Sequence, residues 1–138
     1  MKVYVAASSK EIDRAERVIA ALRKAGVVVT HDWPAEMRKH PADHELDDDV
    51  LLPELERDLQ KGVRPADLVL VLAPQQPTQG AWVELGAAWG LLIEIHSAGD
   101  LTLAPWLRLL ATTQHRTDDM AIGALAERVR MHLAESGE

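Results

Sequence analysis

The sequence predicts a three-layer α/β/α sandwich built on a parallel sheet of about five strands. Two observations carry this expectation. Short aliphatic runs alternate with segments of helical period along the chain, and strands joined by helices pair in parallel through right-handed crossovers. The most apolar run, DLVLVLA at residues 67–73, is continuous rather than alternating, as in a strand covered by helices on both faces.

Each element has its own signal. Residues 2–7 form a short apolar run, and Ile12, Ala15, Ile19 and Leu22 then recur at helical spacing until Gly26. Ser8 followed three residues later by Glu11 has the form of a capping box, and Gly26 suits a left-handed helix end. Residues 27–30 read as a second strand. Residues 32–49 are polar and irregular, with Pro34, Pro41 and an acidic run over 43–49, and read as a long loop with one helical turn. Leu51, Leu52, Leu55 and Leu59 mark a helix over 50–61 that Gly62 closes, and Pro74 and Pro77 end the strand at 67–73. A helix over 81–89, a strand over 91–95, a variable stretch over 98–108, a short strand over 110–114 and a helix over 118–133 complete a flavodoxin- or Rossmann-like order.

Composition narrows the function. The chain has 138 residues, which suits one domain with its own core. It has no cysteine, which removes disulfides, thiolate metal sites, Fe–S clusters and a cysteine nucleophile together. With 22 acidic against 15 basic side chains the net charge is -7, which argues against a nucleic-acid polymer as partner while leaving small anions open. No apolar run approaches the roughly 18 residues of a membrane span. The first residues enter a strand-like pattern without the marks of a secretory signal, so a cytoplasmic setting is expected.

In a parallel sheet of this kind the ligand lies beyond the carboxyl ends of the strands. The candidate segments are 7–10, 31–34, 74–84 and 96–100. None carries a phosphate loop ending in Lys-Ser/Thr or a G-x-G-x-x-G turn, and an acidic phosphoacceptor constellation is missing, since the first and third strands end in Ala7-Ser8 and Ala73-Pro74. What stands out is Glu84, read as lying in the first turn of the helix after the third strand. There the positive end of the helix dipole would hold it ionised at the ligand edge, although acidic residues are common in first turns for the same reason.

Three ordered segments carry a family resemblance: Val3 to Lys10 (VYVAASSK), Ala66 to Val71 (ADLVLV), and Gln76-Pro77-Thr78 followed by Gly80 to Ala88 (GAWVELGAA). Together they resemble the nucleoside 2-deoxyribosyltransferase superfamily, over about residues 2 to 96. The resemblance implies chemistry at the N-glycosidic bond of a nucleoside or nucleotide, with Glu84 matching the nucleophilic glutamate. A carboxylate there can attack or stabilise the oxocarbenium-like C1′, as in retaining glycosidases. Asp58 lies close to the position of the family's second carboxylate, to orient Glu84 or protonate the departing base. Tyr4, the sole tyrosine, matches a tyrosine near the nucleophile.

Branches of the family differ at the 5′ end of the sugar. Transferases of free nucleosides resemble one another in an aspartate where this chain has Thr78; the branch that hydrolyses 2′-deoxynucleoside 5′-monophosphates has a serine there. Ser8 and Lys10 match that branch's serine and basic residue after the first strand, and hydroxyls, a lysine and helix N-terminal amides beside Gly80 suit a phosphate. The serine lent by a neighbouring subunit has only Thr102 near its place. For the base, His31 and Trp33 follow the second strand, with Trp33 the expected stacking platform, whereas Trp89 and Trp106 are expected in the core. His40, His44 and Asp47 to Asp49 have no recognised ligand spacing, so no metal and no organic cofactor is expected. The implied activity is hydrolysis of a (deoxy)nucleoside 5′-monophosphate to free base and sugar 5-phosphate, in a homodimer or larger homo-oligomer. Base exchange on free deoxynucleosides, or a non-catalytic nucleotide-binding module, are the alternatives.

Overall fold

A computed structural model describes residues 1–39 and 48–137. Strand β1 (Lys2–Ala6) leads through a 3-10 turn (Ser9–Glu11) into α1 (Ile12–Lys24), followed by β2 (Val28–Val29) and the short α2 (Trp33–Met37). Next come α3 (Asp48–Arg57), a π-helical turn (Asp58–Val63), β3 (Leu68–Leu72), α4 (Gly80–Gly90), β4 (Glu94–Ala98), α5 (Pro105–Leu110), β5 (Thr113–His115) and α6 (Asp118–Glu135). All strands are parallel in the order β2-β1-β3-β4-β5. The predicted five-stranded parallel sheet with flanking helices is therefore the architecture of the molecule.

Register assigns the faces. Val5, Leu70 and His96 pair across β1, β3 and β4, as do Tyr4, Val69 and Ile95, and successive residues of a strand point to opposite sides. The first row faces α1 and α6; the second faces α4. Every residue of β3 is buried, because helices cover both faces of this central strand. The core is aliphatic apart from Tyr4 and Trp33, as a chain without phenylalanine requires.

Several boundaries differ from expectation, each for a local reason. The fourth strand starts at Glu94 rather than at residue 91: Leu91 and Leu92 are exposed, and Leu92, 93% accessible, has a left-handed φ of 60° that turns the chain off the end of α4. His96 consequently lies inside β4, and the ligand edge of that strand begins near Gly99. Gly62 does not close a helix; the chain runs from α3 straight into the π-helical turn that contains it. Gly26 does take the left-handed conformation expected, at φ 89°.

The capping box at Ser8 forms by half. Ser8 Oγ accepts the backbone N–H of Lys10 at 3.2 Å, but Glu11 turns away to accept from Arg14 Nη1 at 3.1 Å and from the Gln75 amide at 3.4 Å. Among the described residues, the polar stretch after β2 holds a helical turn, capped where Asp32 Oδ1 accepts from the Ala35 amide at 3.1 Å, and its last two residues, 48 and 49, already belong to α3. Residues 40–47, and with them His40, His44 and Asp47, lie outside the described residues. Among the described residues no helix is long and apolar enough to cross a membrane, and no group of three or more His, Asp or Glu is placed to hold a metal ion.

At the carboxyl edge Arg14 ties the layers together. Its guanidinium donates to both oxygens of Asp118 at 2.8 Å, to Glu11, and to the carbonyls of Ala73 at 2.6 Å and Ala98 at 3.2 Å. One side chain thereby fixes the ends of β3 and β4 against α1 and the first turn of α6. Gly99 completes this: it has φ 106°, and a Cβ there would lie 2.9 Å from Arg14 Nη2.

Candidate active site

Tyr4 and Glu84 meet on the α4 face of the sheet. β1 points Tyr4 at α4, and α4 points Glu84 back, so that the Tyr4 hydroxyl donates to Glu84 Oε2 at 2.5 Å. Glu84 is 8% exposed. It lies in the second turn of α4 rather than the first, because the helix begins at Gly80, and the helix dipole falls off within one turn. Burial therefore decides its charge: desolvation pushes the carboxyl up to about 8, against the Tyr4 hydrogen bond that favours the ionised form, while nearby Asp58 adds to the rise. Tyr4 is itself held well above its ordinary value by burial and by the negative charge of Glu84 and Asp58, so it remains a donor.

Asp58 opens the π-helical turn. Burial and the neighbouring Glu54 raise its carboxyl to about 7, against the partial relief of Arg57. His31, after β2, faces it with Nε2 3.4 Å from Asp58 Oδ1. Burial lowers the His31 value, which favours neutral imidazole. Both facing atoms are buried and neither has a hydrogen-bond partner among the described residues. Buried polar atoms left unmet are rare, and these two face each other. The structure thus brings the buried Tyr4 and Glu84 near the half-buried Asp58 and His31.

Of the residues expected to hold a phosphate, Ser8 and Lys10 follow β1, and Thr78 and Gly80 lie at the start of α4. Ser8 is buried in the turn after β1 and Lys10 is exposed beside it. Thr78 is half-buried and Gly80 exposed in the loop before α4, where a Cβ on Gly80 would meet nothing within 4 Å. The Glu11 to Gln75 hydrogen bond brings the two segments alongside each other. Thr102 follows β4, its hydroxyl donating to Asp100 Oδ1 at 2.6 Å.

Trp33 corrects the expectation of a stacking platform. It is 6% exposed, with its indole N–H donating to the Val5 carbonyl at 2.8 Å, and its ring is core. The reverse holds for Trp89 and Trp106, expected inside and found 61% and 56% exposed. With Trp82, Gly86, Leu109 and Leu110 they line an apolar groove of about 380 Å³ between α4 and α5. Residues missed by sequence reasoning are Arg14 and Gly62. Arg14 has no local signal, since its partners are up to 104 residues away; Gly62 had one, a glycine inside a helical pattern, but it was read as an end.

Fold and site together define a parallel α/β/α protein with a tyrosine-bonded glutamate and a second carboxylate at the ligand edge. No family model matches the chain, and no curated protein sequence does. Among solved structures, the CMP N-glycosidase BcmB of Clostridium botulinum is similar, with a TM-score of 0.53 over 91% of this chain and 98% of that one at 17% identity. The two share a fold across nearly their whole lengths.

Proposed function

We propose that the protein is an N-glycosidase that hydrolyses a nucleoside 5′-monophosphate, of the 2′-deoxy type, to free base and sugar 5-phosphate. The observation that carries this reading is the Glu84 carboxylate, buried and bonded to Tyr4, with the raised carboxyl of Asp58 beside it. The fold shared with a CMP N-glycosidase and the three motif segments support the same class.

In this mechanism Glu84 attacks C1′ as the bond to the base breaks; the base leaves with the electron pair and takes a proton from Asp58, and water then cleaves the glycosyl ester. His31, with Nε2 3.4 Å from Asp58 Oδ1, holds the Asp58 carboxyl on the side of the base. Ser8, whose oxygen already accepts the Lys10 amide, keeps its hydroxyl proton free for a phosphate oxygen, with Lys10, Thr78 and the open space at Gly80 completing the cradle. The setting is the cytoplasmic nucleotide pool, and no cofactor takes part.

Two tests follow. Incubation with the common ribo- and deoxyribonucleoside monophosphates and their parent nucleosides, read by chromatography, should release base from monophosphates alone. Release only from free nucleosides, or only with a second base present, indicates the transferase; no release from any indicates a binding module. Because Glu84 must be ionised and Asp58 protonated, whereas Asp58 titrates near 7 and Glu84 near 8, the active form is the minor arrangement of the dyad that carries one proton. kcat/KM should therefore be bell-shaped, with limbs near 7 and 8. A flat profile across that range contradicts the assignment.

The reading includes a homodimer formed through the α4–α5 face, where Trp89, Trp106 and Leu109 line the apolar groove and are each more than half exposed. Monomers rarely expose apolar patches beyond a few hundred Å², and a stable dimer covers roughly 800 Å² per partner. Sedimentation should give a dimer, and Trp89→Glu with Leu109→Glu a monomer; a monomeric parent protein contradicts it.

A further inference from the structure

We infer that Gly62 is a positioning residue for the Tyr4–Glu84 pair: its missing side chain lets the π-helical turn press against the Tyr4 ring and hold the hydroxyl on the carboxylate. A Cβ built at Gly62 would lie 2.4 Å from Tyr4 Cε1 and 2.5 Å from Cδ1, closer than any real contact allows. The ring cannot retreat, since Tyr4 is fully buried between the sheet and α4. The turn cannot retreat freely either. Thr30 Oγ1 donates to the Gly62 carbonyl at 2.7 Å, and the Thr30 amide donates to the Val3 carbonyl at 3.0 Å, one residue from Tyr4. Gly62 is thus pinned to the same strand whose ring it touches.

The π-helical geometry places the acid as well. The Arg64 amide reaches back five residues to the Leu59 carbonyl at 3.0 Å, the wide turn that inserts one residue into a helix and recurs at functional sites. Asp58 opens this turn and Gly62 lies four residues on, so one short segment carries the second carboxylate and the surface that fixes the tyrosine. A regular helix end at Gly62 would provide neither.

The catalytic consequence rests on the N-glycosidase reading, but the positioning can be read without turnover. The chain has one tyrosine, so protein labelled with ¹³Cζ-tyrosine gives a single resonance from Tyr4. In the parent protein that resonance should titrate with Glu84, and the step near 8 should vanish in Glu84→Gln, which identifies it, while any step from Asp58 stays. In Gly62→Ala the ring is displaced, so the step should lose at least half its amplitude and move to higher pH; an unchanged step overturns the inference. With substrate, Gly62→Ala should lower kcat about tenfold and move the limb near 8 upward with KM within twofold, whereas a loss of activity with unmoved limbs also overturns it. If Gly62→Ala does not fold, Thr30→Val, which frees the Gly62 carbonyl, should shift the tyrosine step in the same direction by a smaller amount, and no shift counts against the inference. Base release absent from the parent protein would remove the N-glycosidase reading while leaving the tyrosine titration to decide the positioning.

Discussion

Replacing Glu84 by Gln is expected to stabilise the protein by about 3–5 kcal/mol at about pH 9 and to leave it unchanged near pH 4. The sign follows from burial. The folded-state carboxyl is raised from 4.5 to about 8, so the native protein holds its proton more tightly than the unfolded chain. That contribution is fully present below the unfolded value and is lost as pH rises through the folded one. Above pH 8 the native state carries a charge in a site 8% exposed, with one hydrogen bond from Tyr4 as compensation. Gln keeps the shape and the acceptor for Tyr4 and carries no charge at any pH. Urea denaturation of both proteins at the two pH values checks this, and equal stability at high pH would mean that Glu84 is solvated well enough to ionise freely. A group that costs stability in its charged form is what a reactive carboxylate looks like, since selection for folding alone would replace it.

The opposite effect is expected at Arg14. Replacing it by Met should destabilise the protein by about 3–5 kcal/mol, the cost of breaking a largely buried ion pair on one side. The loss is large because, among the described residues, the guanidinium has no substitute: Asp118 keeps the exposed Arg17 at 3.7 Å, Glu11 keeps one amide at 3.4 Å, and the Ala73 and Ala98 carbonyls lose a charged donor. Arg14→Lys should recover part of the stability, since an ammonium cannot span both oxygens of Asp118 and two carbonyls together. A measured loss below about 1 kcal/mol would class the cluster with ordinary surface pairs.

These two positions also mark what was legible in the sequence. The central strands were, because β3 is a buried aliphatic run and β1 is buried from Val3 onward, and such runs have few other readings. The start of β4 was not: Leu91 and Leu92 are apolar but exposed, and a pattern of hydrophobicity cannot tell a core strand from an apolar surface. The same confusion put Trp89 and Trp106 inside and Trp33 outside. A family resemblance carried by short ordered segments singles out Tyr4, Asp58 and Glu84, and the structure brings them near one another. What raises the carboxyls of Glu84 and Asp58, and what pins Tyr4, could not be found this way, because these are contacts between segments as far as 80 residues apart. Gly62 shows the limit most clearly, since a glycine that ends a helix and a glycine that makes room for a ring look alike until the ring is placed.

The central claim is that Glu84 carries the glycosidic chemistry. It is tested most directly by following base release from nucleoside 5′-monophosphates by the parent protein and by Glu84→Gln, each first shown to be folded. The account predicts release by the parent protein and a loss of at least about a thousandfold in the variant. Release by Glu84→Gln at the parent rate would contradict it.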